Sequence, residues 1–482
     1  MHKISIRVLL LLFAISLAAY APLLGTYHFI GDDYYQFDKS ISEWFESRGI
    51  WRIIGIPLPG WLVSQGMYGI SVITAHAIGG YFFFLVARRG FGSITYALLL
   101  TIIMMAFPWG YEALVWASAA AYAFASCLLW MILWALISVR EDQRGTYALA
   151  ATLVFASFLC LLMHEAVFFS LCVAGFVVLT KPAFLRNWKS NATLSLAPLT
   201  GALLWGVTYE LTKPAAPIFA VTHLHPQSAL SALLHQYRSL EVFEVWTNEA
   251  LRSHALSTVQ SPMGVLTLLA FCAVALLVGS IIRAARLQNG NPLRQQKTDV
   301  KPIAFLIWML LLCGGAALIY VLAGGYSADS RKSYVIMPLM IISAGAAAWL
   351  IWERQRFHTF QTRTSAVVIS TVCVFGCLTS LLMTSLYKME MKRFDLLAHL
   401  IVHNRISDDL HVDWKPDLRT IWPRSVFDSQ TLVDRALIAL GHNPVLLSSQ
   451  SMQRAVWRIE EQRWHCCSET VDGRNRATND AF

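Results

Sequence analysis

Long apolar runs broken by short polar stretches are the dominant pattern of this chain. Val8–Leu24, Ala148–Met163, Val265–Ile282 and Ala366–Leu386 are nearly continuous apolar stretches. About 20 such residues in a helix cross a bilayer. In lipid only a helix or a closed barrel satisfies its own backbone hydrogen bonds. The pattern predicts membrane helices at 7–24, 61–87, 93–107, 113–138, 147–163, 166–180, 192–211, 262–282, 303–322, 334–352 and 366–386, about 11 in all. The segments 147–163 and 166–180 are short, and a tilt, a break or a re-entrant path is open to them.

Composition sharpens this to one class. Apolar residues make up 56% and charged residues 14%, with a mean hydropathy of +0.52, whereas soluble domains carry about 25% charge. So few charges cannot cover a soluble surface, which excludes a soluble multidomain enzyme. So apolar a chain is not disordered either. The fold class expected is an all-α polytopic membrane protein.

The net charge of +9 invites a nucleic-acid reading, but placement argues otherwise. Lys and Arg gather beside the apolar runs, as at Arg88–Arg89, Arg140–Arg144 and Arg283–Arg286. In the layout above, 17 of them fall on one side of the membrane and 8 on the connecting loops of the other. The tail after Leu386 holds the other 13, and counted over the short connecting segments the side richer in Lys and Arg is cytoplasmic. The N-terminus is then cytoplasmic, and residues 387–482 form a small outer C-terminal region, periplasmic in a bacterial inner membrane. Ala19-Tyr20-Ala21 is followed by Pro22, so the first run reads as an uncleaved span rather than a signal peptide. Residues 1–386 form the membrane domain, with long outer loops at 25–60 and 212–261. The nine cysteines contain no C-x-x-C pair, and no metal-ligand set is apparent.

Four polar motifs interrupt the apolar pattern. Asp32-Asp33 follows the first span, between Gly31 and Tyr34-Tyr35. An Asp serves as general base toward a hydroxyl, or holds a divalent cation. The plain alternative is an interfacial helix cap with an aromatic belt. Glu112 lies in Pro108-Trp109-Gly110-Tyr111-Glu112, where a helix-starting Glu in a tight turn is the plain alternative. His164-Glu165 breaks an apolar stretch and is either a functional pair or a polar turn. Arg331-Lys332 precedes the late run from Tyr334. It suits a phosphate, which Arg grips with two bonds and Lys meets as a point charge. Snorkelling anchors are the alternative there. All four motifs fall on the outer side of a topology set by Lys and Arg alone, whereas scattered structural residues would fall on both.

These residues resemble the GT-C superfamily of membrane glycosyltransferases, which use a polyprenyl-phosphate sugar. Asp32-Asp33 is similar to the acidic motif of that family's first outer loop. Pro108 through Glu112-Ala113-Leu114-Val115-Trp116 resembles the P-x-x-x-E-A-V-x-W segment of the tetratricopeptide-linked mannosyltransferases. His164-Glu165 resembles their Lys-Glu pair, with His in place of Lys. Arg331 through Pro338 resembles the Arg-Tyr…Pro start of a late helix in bacterial members. The likeness covers about 1–190 and 323–340 and leaves the C-terminal region without a match. It implies a GT-C-like bundle that transfers the sugar to a glycan, lipid or protein acceptor at the outer face with inversion. It implies catalysis by Asp32 and Asp33, acceptor positioning by Glu112 and Glu165, and donor-phosphate binding by Arg331, Lys332 and His164. The cofactor is left open, a divalent cation being one option. The partners implied are the lipid-linked donor, the acceptor and membrane lipids, with no nucleic acid. Three other classes compete, one of them a scaffold whose function lies in residues 387–482. A lipid-linked glycan polymerase or ligase needs no acidic doublet, and a non-enzymatic lipid or glycan transporter places its charges near the midplane.

Overall fold

The computed structural model describes residues 2–29, 32–37, 39–110, 112–139, 145–179, 188–214, 262–289, 301–322, 330–354, 363–404, 406, 409–413, 430–443, 445–447, 454–458 and 463–466. The side chains of Asp32, Glu112, Arg331 and Lys332 lie outside that description, as does most of the expected 212–261 loop.

Among the described residues the chain is a helical bundle with a small sheet near its C-terminal end. In order come α1 (His2–Tyr20), the short helices α2 (Asp32–Phe37), α3 (Ile41–Arg48) and α4 (Pro57–Ser64), then α5 (Tyr68–Phe91) and α6 (Ile94–Ala106). Next are α7 (Glu112–Val115), α8 (Ala121–Ser138), α9 (Thr146–Met163), α10 (Phe168–Ala174), α11 (Phe176–Leu179) and α12 (Trp188–Thr212). The last are α13 (Pro262–Asn289), α14 (Pro302–Leu322), α15 (Ser330–Arg354), α16 (Arg363–His403) and α17 (Gln430–Ala439).

Among the described residues six helical stretches are long and apolar enough to cross a membrane: Ser5–Leu24, Tyr68–Phe91, Ala117–Ser138, Thr146–Met163, Tyr334–Ile351 and Val367–His403. Ile94–Ala106, Glu165–Leu179, Val265–Ile281 and Pro302–Leu318 are apolar but shorter. The outer surface of the bundle is greasy: Leu203, Leu204, Val207 and Leu211 on α12, and Val265, Leu268, Leu269 and Leu276 on α13, are all exposed. An apolar surface this extensive belongs in lipid, so this is an integral membrane protein.

Four expected boundaries shift, the run 113–138 dividing into α7, the one-turn helix Ala117–Ala119 and α8. The run 61–87 is two helices, because Gln65-Gly66-Met67 turns the chain. Gly66 takes φ +65°, where a side chain is disfavoured, and the span proper begins at Tyr68. The run 166–180 breaks at Gly175 into α10 and α11. The final helix does not end near Leu386 but continues to His403. At 41 residues it is roughly 60 Å long, about twice a bilayer core.

Buried polar groups inside the bundle join helices to each other. Trp308 Nε1 donates to Ala174 O at 2.9 Å and Ser170 Oγ to Leu312 O at 2.9 Å, fixing α14 against α10. Ser380 Oγ donates to Ala106 O at 2.6 Å, at the end of α6. His76 bonds Tyr334 Oη through Nδ1 at 2.5 Å and Met105 O through Nε2 at 3.2 Å, tying α5, α6 and α15 together. A carbonyl can only accept, so Nε2 carries the proton and Nδ1 accepts from Tyr334. This pair borders a small cavity with Gly79, Ser126, Cys127 and Trp130.

Beyond the bundle, α16 carries a four-stranded sheet. Strands β1 (Asp409–Asp413), β2 (Leu446–Leu447), β3 (Arg454–Arg458) and β4 (Arg463–Cys466) stand in the order β2-β1-β3-β4. The β1–β2 and β1–β3 pairs are parallel and β3–β4 is antiparallel. Strand β4 packs on α16, and α17 packs on both α16 and α2.

Candidate active site

The four motifs occupy elements that meet at one end of the bundle. Arg88 and Arg89 stand at the opposite end, at the close of α5. The doublet lies on α2, which packs on the one-turn helix Ala117–Ala119 just after α7. Glu112 begins α7, which packs on α15. Arg331 and Lys332 lie in the first turn of α15, and α15 also meets the turn Glu165–Val167. Gly110 makes the closest of these approaches. It takes φ +67°, and a Cβ there would collide with the backbone of Tyr334. The Glu112 turn and the Arg331 helix start are therefore pressed together at backbone distance.

Asp33 is completely buried and collects four donors. Tyr27 Oη donates to its Oδ2 at 2.8 Å. Its Oδ1 accepts from Trp116 Nε1 at 3.0 Å, Ser118 N at 3.1 Å and the Ser118 hydroxyl. Tyr27 Oη in turn accepts from Ala117 N at 2.7 Å. Burial, with Asp33 beside it, lifts the Tyr27 phenol well above its ordinary pKa, so it stays a donor. Tyr68 Oη donates to Leu114 O at 2.8 Å and completes the seam. Asp33 thus fastens α2 to the 114–118 segment. Among the described residues its oxygens face N–H and O–H donors, an arrangement that suits a structural hub.

Glu165 is also engaged. Arg52 grips it bidentately, Nε to Oε2 at 2.9 Å and Nη2 to Oε1 at 2.5 Å, with 15% and 19% of the two side chains exposed. Burial pushes the Glu165 pKa up, but the guanidinium outweighs it and holds the carboxyl below the usual carboxylate range. Arg52 lies over the Trp51 ring at 4.3 Å from its centroid, and its φ of +50° is rare for a residue with a Cβ. The amides of Ile54 and Gly55 both donate to Leu162 O, at 3.4 and 3.3 Å, so the 52–55 segment is stitched to the end of α9.

His164 is buried and caps the turn. Its Nδ1 accepts from Ala166 N at 3.0 Å, which a doubly protonated ring cannot do. The Glu165 oxygen 3.5 Å from the same nitrogen is therefore a neighbour, not a hydrogen-bond partner. The geometry makes His164 a neutral ring packed on Tyr122. The fixed positive charge of this corner belongs to Arg52.

Sequence reasoning missed Arg52, Tyr27 and Ser118. Arg52 had a signal, as a basic residue on the side where bases are scarce. Trp116 stood in the quoted motif, but nothing in its spacing pointed to Asp33. Among the described residues no three His, Cys, Asp or Glu side chains gather as metal ligands.

No family model matches the chain, and no curated protein matches it. Among solved structures, two of ArnT from Cupriavidus metallidurans are similar over 92% of this chain and 92% of theirs. The one bound to undecaprenyl phosphate shows 14% identity and a TM-score of 0.38, and the apo state 15% and 0.36. The superposition is loose, so the chemistry has to be read from the residues themselves.

Proposed function

We propose that this protein is a GT-C-type glycosyltransferase, moving a sugar from a polyprenyl-phosphate donor to an acceptor hydroxyl at the outer membrane–water boundary. One observation carries the reading. Elements that bear two acidic motifs and one basic motif, hundreds of residues apart, converge at one end of a membrane bundle. That end is where a lipid phosphate and a water-borne hydroxyl can meet.

Asp33 and Glu165 are occupied in holding the segment before α5. The chemistry is therefore assigned to Asp32 and Glu112 on the acidic side and to Arg331 and Lys332 on the basic side. Asp32 takes the acceptor proton while the hydroxyl attacks the anomeric carbon with inversion. Glu112 positions the acceptor. Arg331 and Lys332 hold the donor phosphate and stabilise the charge that develops on it as the sugar leaves. His164 contributes shape rather than charge.

The test is turnover by purified protein with a panel of polyprenyl-phosphate sugars, wild type against Asp32→Asn. Substituting a general base costs roughly 100-fold or more in rate. We expect turnover by wild type and a loss of that size in an Asp32→Asn protein with wild-type elution and melting. Equal rates remove Asp32 from the chemistry, and no turnover with any donor removes the transferase reading.

A further inference from the structure

The segments 22–29 and 32–37, the second of which carries the acidic doublet, are both contacted by residues that follow Leu386. Lys388 Nζ donates to Pro22 O at 2.7 Å. Seven residues on, two helical turns along the same face, Asp395 Oδ2 lies 2.9 Å from His28 Nδ1. His28 and Asp395 are 20% and 18% exposed, so this contact is sheltered. His399, one turn further, comes to 3.6 Å from the other Asp395 oxygen, beyond a hydrogen bond. The third contact is made by α17, which packs directly on α2 with Val433, Ala436 and Leu437 buried. These are two polar bonds on the segment 22–29 and one helix face on α2, from separate parts of the C-terminal region.

We infer that the C-terminal region is a clamp for the doublet, with Asp395, His28 and Lys388 as positioning residues that set where α2 stands against the bundle. None of them sits among the four motifs. They act through the backbone of 22–29, the tether from which α2 hangs. The clamp also accounts for a helix that runs on well past the membrane: Tyr387, Met391, Phe394, Ala398 and Ile401 are buried at helical spacing, which brings Lys388 and Asp395 to the 22–29 tether. The inference rests on the reading of Asp32 as base for its catalytic consequence, but not for its structural one.

The experiment uses the full chain in lipid nanodiscs and two readouts, backbone deuterium exchange and transfer kinetics. Asp395→Ala and Lys388→Met are each expected to speed exchange within 26–37 while α5 and α8 stay at wild-type levels. A displacement of about 1 Å at a reacting group costs on the order of 100-fold. A kcat loss of roughly 10- to 100-fold is therefore expected, with the donor KM within about threefold of wild type. The exchanged pair, His28→Asp with Asp395→His, is expected to restore most of both. Wild-type exchange at 26–37 in both single variants overturns the clamp. So does a rise spread over the whole bundle, or faster exchange with unchanged kcat. Faster local exchange in a protein whose wild type turns over no donor leaves the clamp standing and removes the transferase reading instead.

Discussion

Asp33 and Glu165 both tie the segment between α1 and α5 to the bundle, Asp33 with four neutral donors and Glu165 with one guanidinium. Asp33 is fully buried, and its partners are a phenol, an indole, a hydroxyl and a backbone amide. Glu165 keeps some exposure and is matched by a full opposite charge. A carboxylate taken wholly out of water needs every lone pair satisfied, and fixed dipoles do this without bringing a second buried ion. At the wetter corner an ion pair suffices, since part of its solvation is retained. The two corners should therefore answer differently to substitution, pH and salt.

The largest effect is expected at Asp33. Asp33→Ala leaves Trp116, Tyr27 and both Ser118 donors without their acceptor, and buried orphans cost about 1–3 kcal/mol each. Partial relaxation brings the total to about 4 kcal/mol. The check is the melting midpoint in detergent, read from tryptophan fluorescence. An unchanged midpoint contradicts the hub.

Arg52→Met comes next, at about 2–3 kcal/mol, because it strands a mostly buried carboxylate. Its signature is in pH. The Glu165 pKa falls below its ordinary 4.5 on folding. The unfolded chain therefore binds the proton more readily. The stabilisation is complete above about pH 4.5 and is lost as pH falls through the lowered pKa. Wild type should show that slope in its unfolding free energy, and Arg52→Met should lack most of it. High salt should weaken this corner slightly and leave the Asp33 corner unchanged.

Ser118→Ala is the smallest, at about 1 kcal/mol. The Ser118 amide and the Trp116 indole still donate to the same oxygen, so only one of four bonds is lost. A loss as large as that of Asp33→Ala would mean that the hydroxyl dominates the hub.

The long membrane helices were legible from apolar runs, because lipid imposes an extended apolar pattern on each, but among the described residues six stretches are long and apolar enough to cross where about 11 spans were expected. The turn at Gly66 was not legible, since Trp61-Leu62-Val63 and Ile70 through Ala75 read as one run. The continuation of α16 past Leu386 had a visible signal. Tyr387, Met391, Phe394, Ala398 and Ile401 repeat every three or four residues, but Lys388, Lys392, Arg393 and Asp395 gave the segment an ordinary soluble look. At the site, sequence singled out the acidic positions without their partners. Glu165 and Arg52 are 113 residues apart and Asp33 and Ser118 are 85 apart. No local spacing rule reaches across such distances. The motif carries His164 where the pattern it resembles has Lys, and the positive charge in that corner sits on Arg52, in a different loop.

His28 and Asp395 are 367 residues apart, which sets an order on biogenesis. At ribosomal speeds the later partner emerges roughly 20–70 s after the earlier one. During that interval the first helices can insert while the tether after α1 still lacks its counterpart. A message cut short before codon 388 would give a membrane-embedded product that carries the acidic pair but lacks the clamp on its tether.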